Sequence, residues 1–546
     1  MENKRLKLPI GIQTFEKLRK EGFIYIDKTK FLVDLIETGN IYFLARPRRF
    51  GKSLTVSTFD ALFSGKKDLF KGLYAEEFLN RPNFRPSPVI RLDMSDITTD
   101  EGIEVFRESL MWMTRRVANN LGVELSNTQI PGDLLSELIE STAKKYSQKT
   151  VILIDEYDKP YTDFVNDPEM AEKVRNVLRN FYVRIKTKDE YIRFSFITGI
   201  SKFAKFGVFS TLNTPKDISM MPEYAEICGY TEEEIIKYFP DYLEETAEKL
   251  QISTAELIDK MRHYYNGFSF DGEAYTRLYN PYSTLSFFRD RMFVNYWFET
   301  GSSKLIADFM KSRHLTVEQF RNFPVSNDFA RSPGDVDVTP PEGFLYQSGY
   351  LSLRPHRGGG LALDYPNTEV LNAMSRLVAQ NILQAKGNAY NSYSQRIIHA
   401  LRTDDYNLFV DALNTLLASI PYDDFSKAAE ESVIFGGYKF PAQEWLYRSI
   451  ILSFLRGCNV LVDAELHTHL GRPDLVISCN AHIWVIELKV AYKGSNAAEK
   501  AAEAYSQIIE KQYAKPYPGA FCLGLGIDDS TRQISGMYFK ITDNSI

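Results

Sequence analysis

The sequence predicts an α/β protein in which a parallel-sheet domain is followed by a largely helical region and then by a second, smaller α/β domain. Three observations carry this reading. Strands and helices alternate over roughly the first 200 residues, the order that builds a parallel sheet. From Thr231 onward the apolar spacing turns helical. After Gly436-Gly437 it changes again, to a helix followed by alternating strands. These shifts place the divisions at 1–230, 231–435 and 436–546.

Composition sets the bounds. The 546 residues are 44% hydrophobic and 25% charged, an ordinary globular mixture long enough for about two to four domains. A formal net charge of −6 gives no support for coating nucleic acid, so any such binding must use local basic surface. Cys228, Cys458, Cys479 and Cys522 lie far apart without zinc-site spacing and read as buried or free thiols in a reducing compartment. The charged N-terminus leads into no apolar segment, and no apolar run is long enough to span a bilayer. A soluble, cytoplasmic protein without a membrane partner is expected.

Taken in order, Phe31–Ile36 has helical spacing and Phe43-Leu44-Ala45 is a short strand. A helix through Leu54, Phe59, Leu62 and Phe63 stops near Gly65. Val89-Ile90-Arg91-Leu92-Asp93 is a second strand, and amphipathic helices at roughly 101–120 and 132–146 follow it. Val151-Ile152-Leu153-Ile154 is apolar throughout, as a strand buried on both faces must be. A helix over roughly 169–187 leads to the strand Arg193–Thr198. Thr231 with Glu234 three residues on forms a capping box, Tyr264–Phe268 reads as an aromatic turn, and 286–435 reads as mostly helical.

Two stretches of the first domain complement each other. The strand at 151–154 delivers Asp155 and Glu156 to its C-terminal end, where open α/β sheets bind ligands. Arg46-Pro47-Arg48-Arg49-Phe50-Gly51-Lys52-Ser53-Leu54 supplies a basic turn ending in Gly-Lys-Ser at a helix start, where free N–H groups and the helix dipole attract phosphate. The usual phosphate loop carries a glycine where Arg46 stands. Charge assigns the roles for ATP and Mg²⁺: Lys52 on the β- and γ-phosphates, Ser53 and Asp155 on the ion, and Glu156 on the attacking water.

Arg46–Leu54, Ile154-Asp155-Glu156-Tyr157-Asp158-Lys159-Pro160 and Thr198-Gly199-Ile200-Ser201-Lys202-Phe203 together resemble the bacterial AAA-ATPase-like proteins, in which an ATPase domain precedes a C-terminal PD-(D/E)XK nuclease-like domain. The resemblance covers essentially the whole chain and includes the departure at Arg46. It implies a P-loop, AAA-like parallel-sheet domain, a helical lid and middle region, and a restriction-endonuclease-like α/β domain. It further implies that Thr198 senses the γ-phosphate. AAA-like sites commonly borrow an arginine from a neighbouring subunit, which implies a homo-oligomer. Arg175, Arg179, Arg184 and Arg193 all stay open as that arginine.

The last domain has its own constellation. Asp474 stands near the start of one strand, and Glu487 and Lys489 share one face of the next. The turn Ser478-Cys479-Asn480-Ala481 makes the two a hairpin in which Asp474 and Glu487 converge. Two carboxylates suit Mg²⁺ or Mn²⁺, and Lys489 would position the attacking water. With Glu444 on the preceding helix, and Gln507 and Tyr513 on and beyond the following one, the order resembles the PD-(D/E)XK nucleases. Glu444 and Gln507 are expected to sit farther out than the carboxylate pair.

His467 and His469 share a strand face but have no third ligand spacing, so a solvated or core-edge pair is the reading. Lys489, Lys493, Lys500, Lys511 and Lys515 offer a phosphate-tracking surface or simply a charged helix face. The sequence thus points to an ATPase coupled to a metal-dependent nuclease, with nucleic acid as partner and DNA ahead of RNA. The rivals are a nucleotide-switched binding or signalling protein, and an ATP-driven remodeller of protein.

Overall fold

The computed structural model describes residues 5–99, 102–164, 167–200, 215–297, 317–326, 329, 341–356, 359–382, 387–418, 433–435, 438–440, 442–463, 473–479, 482–492 and 494–541. The chain forms two compact units: residues 1–296 with 322–368, and residues 297–321 with 369–546. The helices after Thr231 therefore pack within the first unit and those after Glu369 within the second. These units divide the chain differently from the three segments read from sequence.

The first unit is built on five parallel strands: β1 (Ile41–Ala45), β2 (Val89–Asp93), β3 (Thr150–Asp155), β4 (Ile192–Gly199) and β5 (Lys216–Asp217). Their spatial order is β2-β3-β4-β1-β5, so β4 lies between the strand that ends at Ala45, just before Arg46, and the strand that ends at Asp155. Every residue of β3 is buried, which explains its unbroken apolar run. On one face Ile152, Ile154 and Ile197 meet helices α2 (Ile103–Asn120), α3 (Pro131–Tyr146) and α4 (Pro168–Thr187) through Phe106, Leu138 and Phe181. On the other face α1 (Lys52–Phe63) sets Phe59 against Phe194 and Phe196, with ring centroids 5.2 and 4.8 Å apart. The phosphate loop is thus carried between a buried strand and a helix clamped to the same sheet.

The capping box at Thr231 is present, with Thr231 N–H on Glu234 Oε2 at 2.9 Å and Glu234 N–H on Thr231 Oγ1 at 3.2 Å. It opens the helix Glu232–Tyr238, which packs with later helices around Phe239, Tyr265 and Phe287. The segment 264–268 is less of a turn than its composition suggests, because the helix Thr254–Tyr265 runs into it. Gly267 then turns the chain at φ +109°, and a Cβ there would stand 2.0 Å from Pro366 O.

The region 286–435 departs from the helical expectation. It contains a three-stranded antiparallel sheet of β6 (Phe323–Val325), β7 (Ser352–Pro355) and β8 (Leu361–Asp364). Strands of three or four residues interrupted by Pro324 and closed by Pro355 are too short to display a two-residue period. The expected change of character near 436 falls at the small antiparallel pair β9 (Val433–Phe435) and β10 (Tyr438–Phe440).

The second unit holds the mixed sheet β11 (Leu461–Asp463), β12 (Leu475–Cys479), β13 (His482–Ala491), β14 (Phe521–Asp528) and β15 (Gln533–Ile541), in that spatial order. Only β13 and β14 run parallel, because the helix α6 (Ala497–Glu510) crosses between them. The preceding helix α5 (Ala442–Gly457) packs Ile451, Phe454 and Leu455 into the same core as Leu475, Trp484 and Ile486. Three glycines let α6 lie directly on the sheet. A Cβ on Gly526 would stand 1.8 Å from Ala497 O, one on Gly536 2.1 Å from the same oxygen, and one on Gly524 2.4 Å from Ala501 O. Among the described residues no helix is long and apolar enough to cross a membrane.

Candidate functional site

The phosphate loop has the shape its residues require. Arg49 at φ +67° and Gly51 at φ +100° both take left-handed backbone, and Gly51 caps α1. Such turns aim successive N–H groups into one concavity. Lys52 opens the helix, is 5% exposed, and donates its Nζ to Arg46 O at 3.0 Å and Pro47 O at 3.1 Å. Burial holds its ammonium below the usual lysine value, while Glu156, Asp155 and Asp158 pull it back up. A buried ammonium held by loop carbonyls and faced by carboxylates fits a triphosphate with its magnesium ion. Ser53 follows as the second helical residue, half-buried beside Leu54.

Arg46 has a different task from the one expected. Its guanidinium is not aimed at the loop. It donates to Ala45 O at 2.9 Å, Ser219 O at 2.7 Å, Tyr224 O at 3.1 Å and Ala225 O at 3.4 Å, and lies 4.3 Å from the centroid of Phe270. The side chain ties the 219–225 stretch to the end of β1, and only the backbone of Arg46 faces Lys52. Pro47 is buried, and Phe50 is held edge-on by Phe268 and Phe270 at 4.8 and 5.1 Å. Arg48 is half-buried, and exposed Arg49 lies 4.7 Å over the Tyr282 ring.

Asp155 ends β3 at 1% exposure. Its Oδ1 accepts the Thr198 hydroxyl at 2.6 Å and the Glu156 N–H at 3.1 Å. Thr198 lies near the end of β4, so the spatial order of the strands brings it to Asp155. Glu156 leaves the strand at φ +50° and is half-buried. Asp158 was not singled out as a site residue, yet its carboxylate takes the Ile200 N–H at 3.1 Å and fixes the turn after β4.

The arginines separate. Arg175 pairs with Glu172, Arg184 pairs with Asp133 at 3.1 Å, and Arg193 donates to Arg85 O and Ser87 Oγ at 3.0 and 2.8 Å. Arg179 is exposed and has no ion pair among the described residues. Ser201, Lys202 and Phe203 lie outside the described residues.

In the second unit the hairpin register places Leu475 opposite Ile486, and hence Asp474 beside Glu487. Asp474 N–H donates to Glu487 Oε2 at 3.1 Å, and Leu488 N–H donates to Asp474 Oδ2 at 2.8 Å. Lys489 Nζ lies 4.0 Å from Glu487 Oε1. Burial and then Asp474 push Glu487 well above the usual carboxylate range, against the pull of Lys489. Gln507 is closer than expected: its amide donates directly to Glu487 Oε1 and lies 3.4 Å from the Tyr513 hydroxyl. Glu444 also turns inward. Burial raises its pKa, Lys489 lowers it and Asp474 raises it, while Val490 N–H donates to it.

Asp474 and Glu487 are both buried, with lysine, glutamine and a third acid around them. Among the described residues no group of three or more His, Cys, Asp or Glu side chains is placed to hold a metal ion. A pair of carboxylates that leaves room for water and phosphate fits Mg²⁺ or Mn²⁺. His467, His469 and Lys493 lie outside the described residues. Lys500 pairs with Glu503 at 2.7 Å, while Lys511 and Lys515 are exposed.

One residue escaped the sequence reading. Arg448 is 4% exposed and its Nη1 lies 3.3 Å from Asp474 Oδ1. An arginine one helical turn beyond Glu444, inside an otherwise apolar run, was the available signal.

Comparison with known proteins identifies a family for each of the two domains. Residues 9–209 match the family described as predicted AAA-ATPase, AAA-ATPase-like, and residues 442–534 match the PD-(D/E)XK nuclease superfamily. An uncharacterised protein from the vnfD 5′ region of Azotobacter chroococcum mcd 1 is 32% identical over 520 residues, which is 94% of this chain and 94% of the relative. The Aeropyrum pernix ORC2 protein, solved as ADPNP–ADP complexes, aligns over 69% of this chain and 96% of its own at 12% identity. Its TM-score of 0.26 is too low to support any statement about this chain.

Proposed function

The chain belongs to a family that joins an AAA-ATPase-like domain to a C-terminal PD-(D/E)XK nuclease-superfamily domain, and on that premise we propose that it binds and hydrolyses ATP and cleaves nucleic acid with a divalent metal. The proposed segments are an ATPase core at 1–230, a helical lid and middle region at 231–435, and a nuclease-like domain at 436–546. The observation that supports the reading is two separate groupings of carboxylates with a lysine: Asp155 and Glu156 facing Lys52, and Asp474 and Glu487 beside Lys489.

In the first site Lys52 clamps the β- and γ-phosphates, Ser53 and Asp155 hold Mg²⁺, and Glu156 directs the water. In the second, a bound Mg²⁺ or Mn²⁺ supplies Lewis acidity at the scissile phosphate. Asp474 and Glu487 hold that ion, Gln507 and Glu444 orient the pair, and Lys489 positions the water. The water oxygen bonds to phosphorus, the bridging P–O bond breaks, and the proton ends on the released hydroxyl.

DNA is the proposed substrate ahead of RNA, ATP is the controlling ligand, and a homo-oligomer would supply an arginine such as Arg179 in trans. ATP controls cleavage only if it binds one conformation better than another. The test is cleavage of single- and double-stranded DNA and RNA by purified protein with Mg²⁺ or Mn²⁺, with and without ATP. Metal-dependent cutting that changes with ATP is the expected result. No cleavage under any of these conditions gives the lead to a nucleotide-switched binding protein.

A further inference from the structure

Arg448 is buried on the helix face that also carries Glu444, Trp445, Ile451 and Leu452. A buried guanidinium is costly unless it is paired. One partner is Asp474, at 3.3 Å on Oδ1, while the other oxygen of that carboxylate takes the Leu488 N–H. Both oxygens of Asp474 are therefore engaged, one by a neutral donor and one by a charge. Around the carboxylate pair stand three acids, Asp474, Glu487 and Glu444, and two bases, Lys489 and Arg448, and the charge of Arg448 also acts on Glu318. Lys489 is 26% exposed in its side chain, so the fully buried positive charge is that of Arg448.

We propose that Arg448 is the resident counter-cation of the carboxylate pair, holding Asp474 Oδ1 in the metal-free protein and yielding that oxygen to an entering divalent cation. This rests on the reading of Asp474 and Glu487 as a metal site. Arg448 is then a positioning residue, which acts through Asp474 and sets how tightly the site takes metal. It keeps the buried carboxylates compatible with the folded state until the cation arrives, and it competes with that cation. Removing its charge therefore has a sign that a merely supportive residue would not show: metal binding strengthens.

The test is calorimetric titration of Mn²⁺ into full-length wild type and Arg448→Met, with thermal unfolding of each in EDTA and in saturating Mn²⁺. Arg448→Met is expected to bind Mn²⁺ at least about tenfold tighter. It is also expected to lose several degrees of melting temperature in EDTA and to regain them with Mn²⁺. Unchanged or weaker Mn²⁺ binding overturns the proposal, and so does a stability loss that is the same with and without metal. Should Arg448→Met fail to fold in EDTA, the double variant Arg448→Met/Asp474→Asn, which removes both charges, must fold there or the pairing is not the cause. A wild type that binds no Mn²⁺ removes the metal-site reading itself. A wild type that binds normally beside an indistinguishable Arg448→Met removes only the role of Arg448.

Discussion

Thr198 donates its hydroxyl to Asp155 at 2.6 Å, across the ends of two neighbouring parallel strands. The same carboxylate oxygen takes the Glu156 N–H. One oxygen of Asp155 is therefore fixed by the protein, and under the proposed function the other would take magnesium or its water. Thr198→Val keeps the shape and removes the donor. ATP turnover is expected to fall about 10–100-fold while ATP affinity changes little, as for other groups that orient a ligating carboxylate. Phosphate release measured beside nucleotide titration checks this, and unchanged turnover would show that the hydroxyl has no part in hydrolysis.

Lys52→Ala should remove ATP binding and hydrolysis together, because Lys52 is the buried ammonium of the loop. Glu156→Gln should bind ATP normally and fail to turn it over, since under the proposed function it loses only the group that directs water. The two variants are separated by measuring ATP affinity and phosphate release on each. Near-normal hydrolysis by Lys52→Ala would take the phosphate site away from this loop.

Much of this was legible because it depends on local pattern. The apolar run Val151–Ile154 within β3 reads as a doubly buried strand, and the two-residue period placed Glu487 and Lys489 on one face. The hairpin then brought Asp474 to Glu487 without any knowledge of the rest of the fold. What escaped depends on distant partners. Arg46 was read as part of the nucleotide site because its neighbours are, yet its guanidinium goes to carbonyls about 175 residues away. Gln507 touches Glu487 only because glycines in β14 and β15 let α6 sit against the sheet, a contact that no spacing within the helix reveals.

The position of Arg46 gives a prediction opposite to that for a phosphate ligand. Arg46→Met orphans carbonyls in the 219–225 stretch and removes a buried cation from the Phe270 face. The expected cost is about 3 kcal/mol or more of folding stability. Arg46→Lys should not restore it, because one ammonium cannot reproduce the fork that reaches four carbonyls. Urea unfolding of both variants provides the check. Wild-type stability combined with weakened ATP binding would return Arg46 to the nucleotide.

Gly526→Ala tests the seating of α6. Its Cβ would stand 1.8 Å from Ala497 O, so the helix must move away from the sheet. Overpacking of this kind costs about 1–3 kcal/mol. The shift should also draw Gln507 from Glu487 and lower cleavage while ATP turnover stays as in wild type. Cleavage that survives a confirmed loss of stability would mean that Gln507 contributes little to the site.

Glu318 predicts how the second unit responds to acid. Burial alone would raise its pKa, but the charge of Arg456, followed by those of Arg321 and Arg448, outweighs burial and holds it below the usual glutamate value. Arg456 is in direct contact with it, and both side chains are buried. A depressed carboxyl means that the folded state binds fewer protons than the unfolded state, so stability rises with pH across the window. The contribution is fully present above the ordinary glutamate pKa of about 4.3 and is lost as pH falls through the lower, folded-state value. Glu318→Gln should flatten that acid limb. It should also reduce stability at neutral pH by about 3–5 kcal/mol, because Arg456 is left buried without its partner. Urea midpoints from about pH 3 to pH 7 for wild type and variant isolate the difference from the protein's other carboxylates. An acid limb of equal slope in the two proteins would mean that Glu318 titrates no differently folded or unfolded.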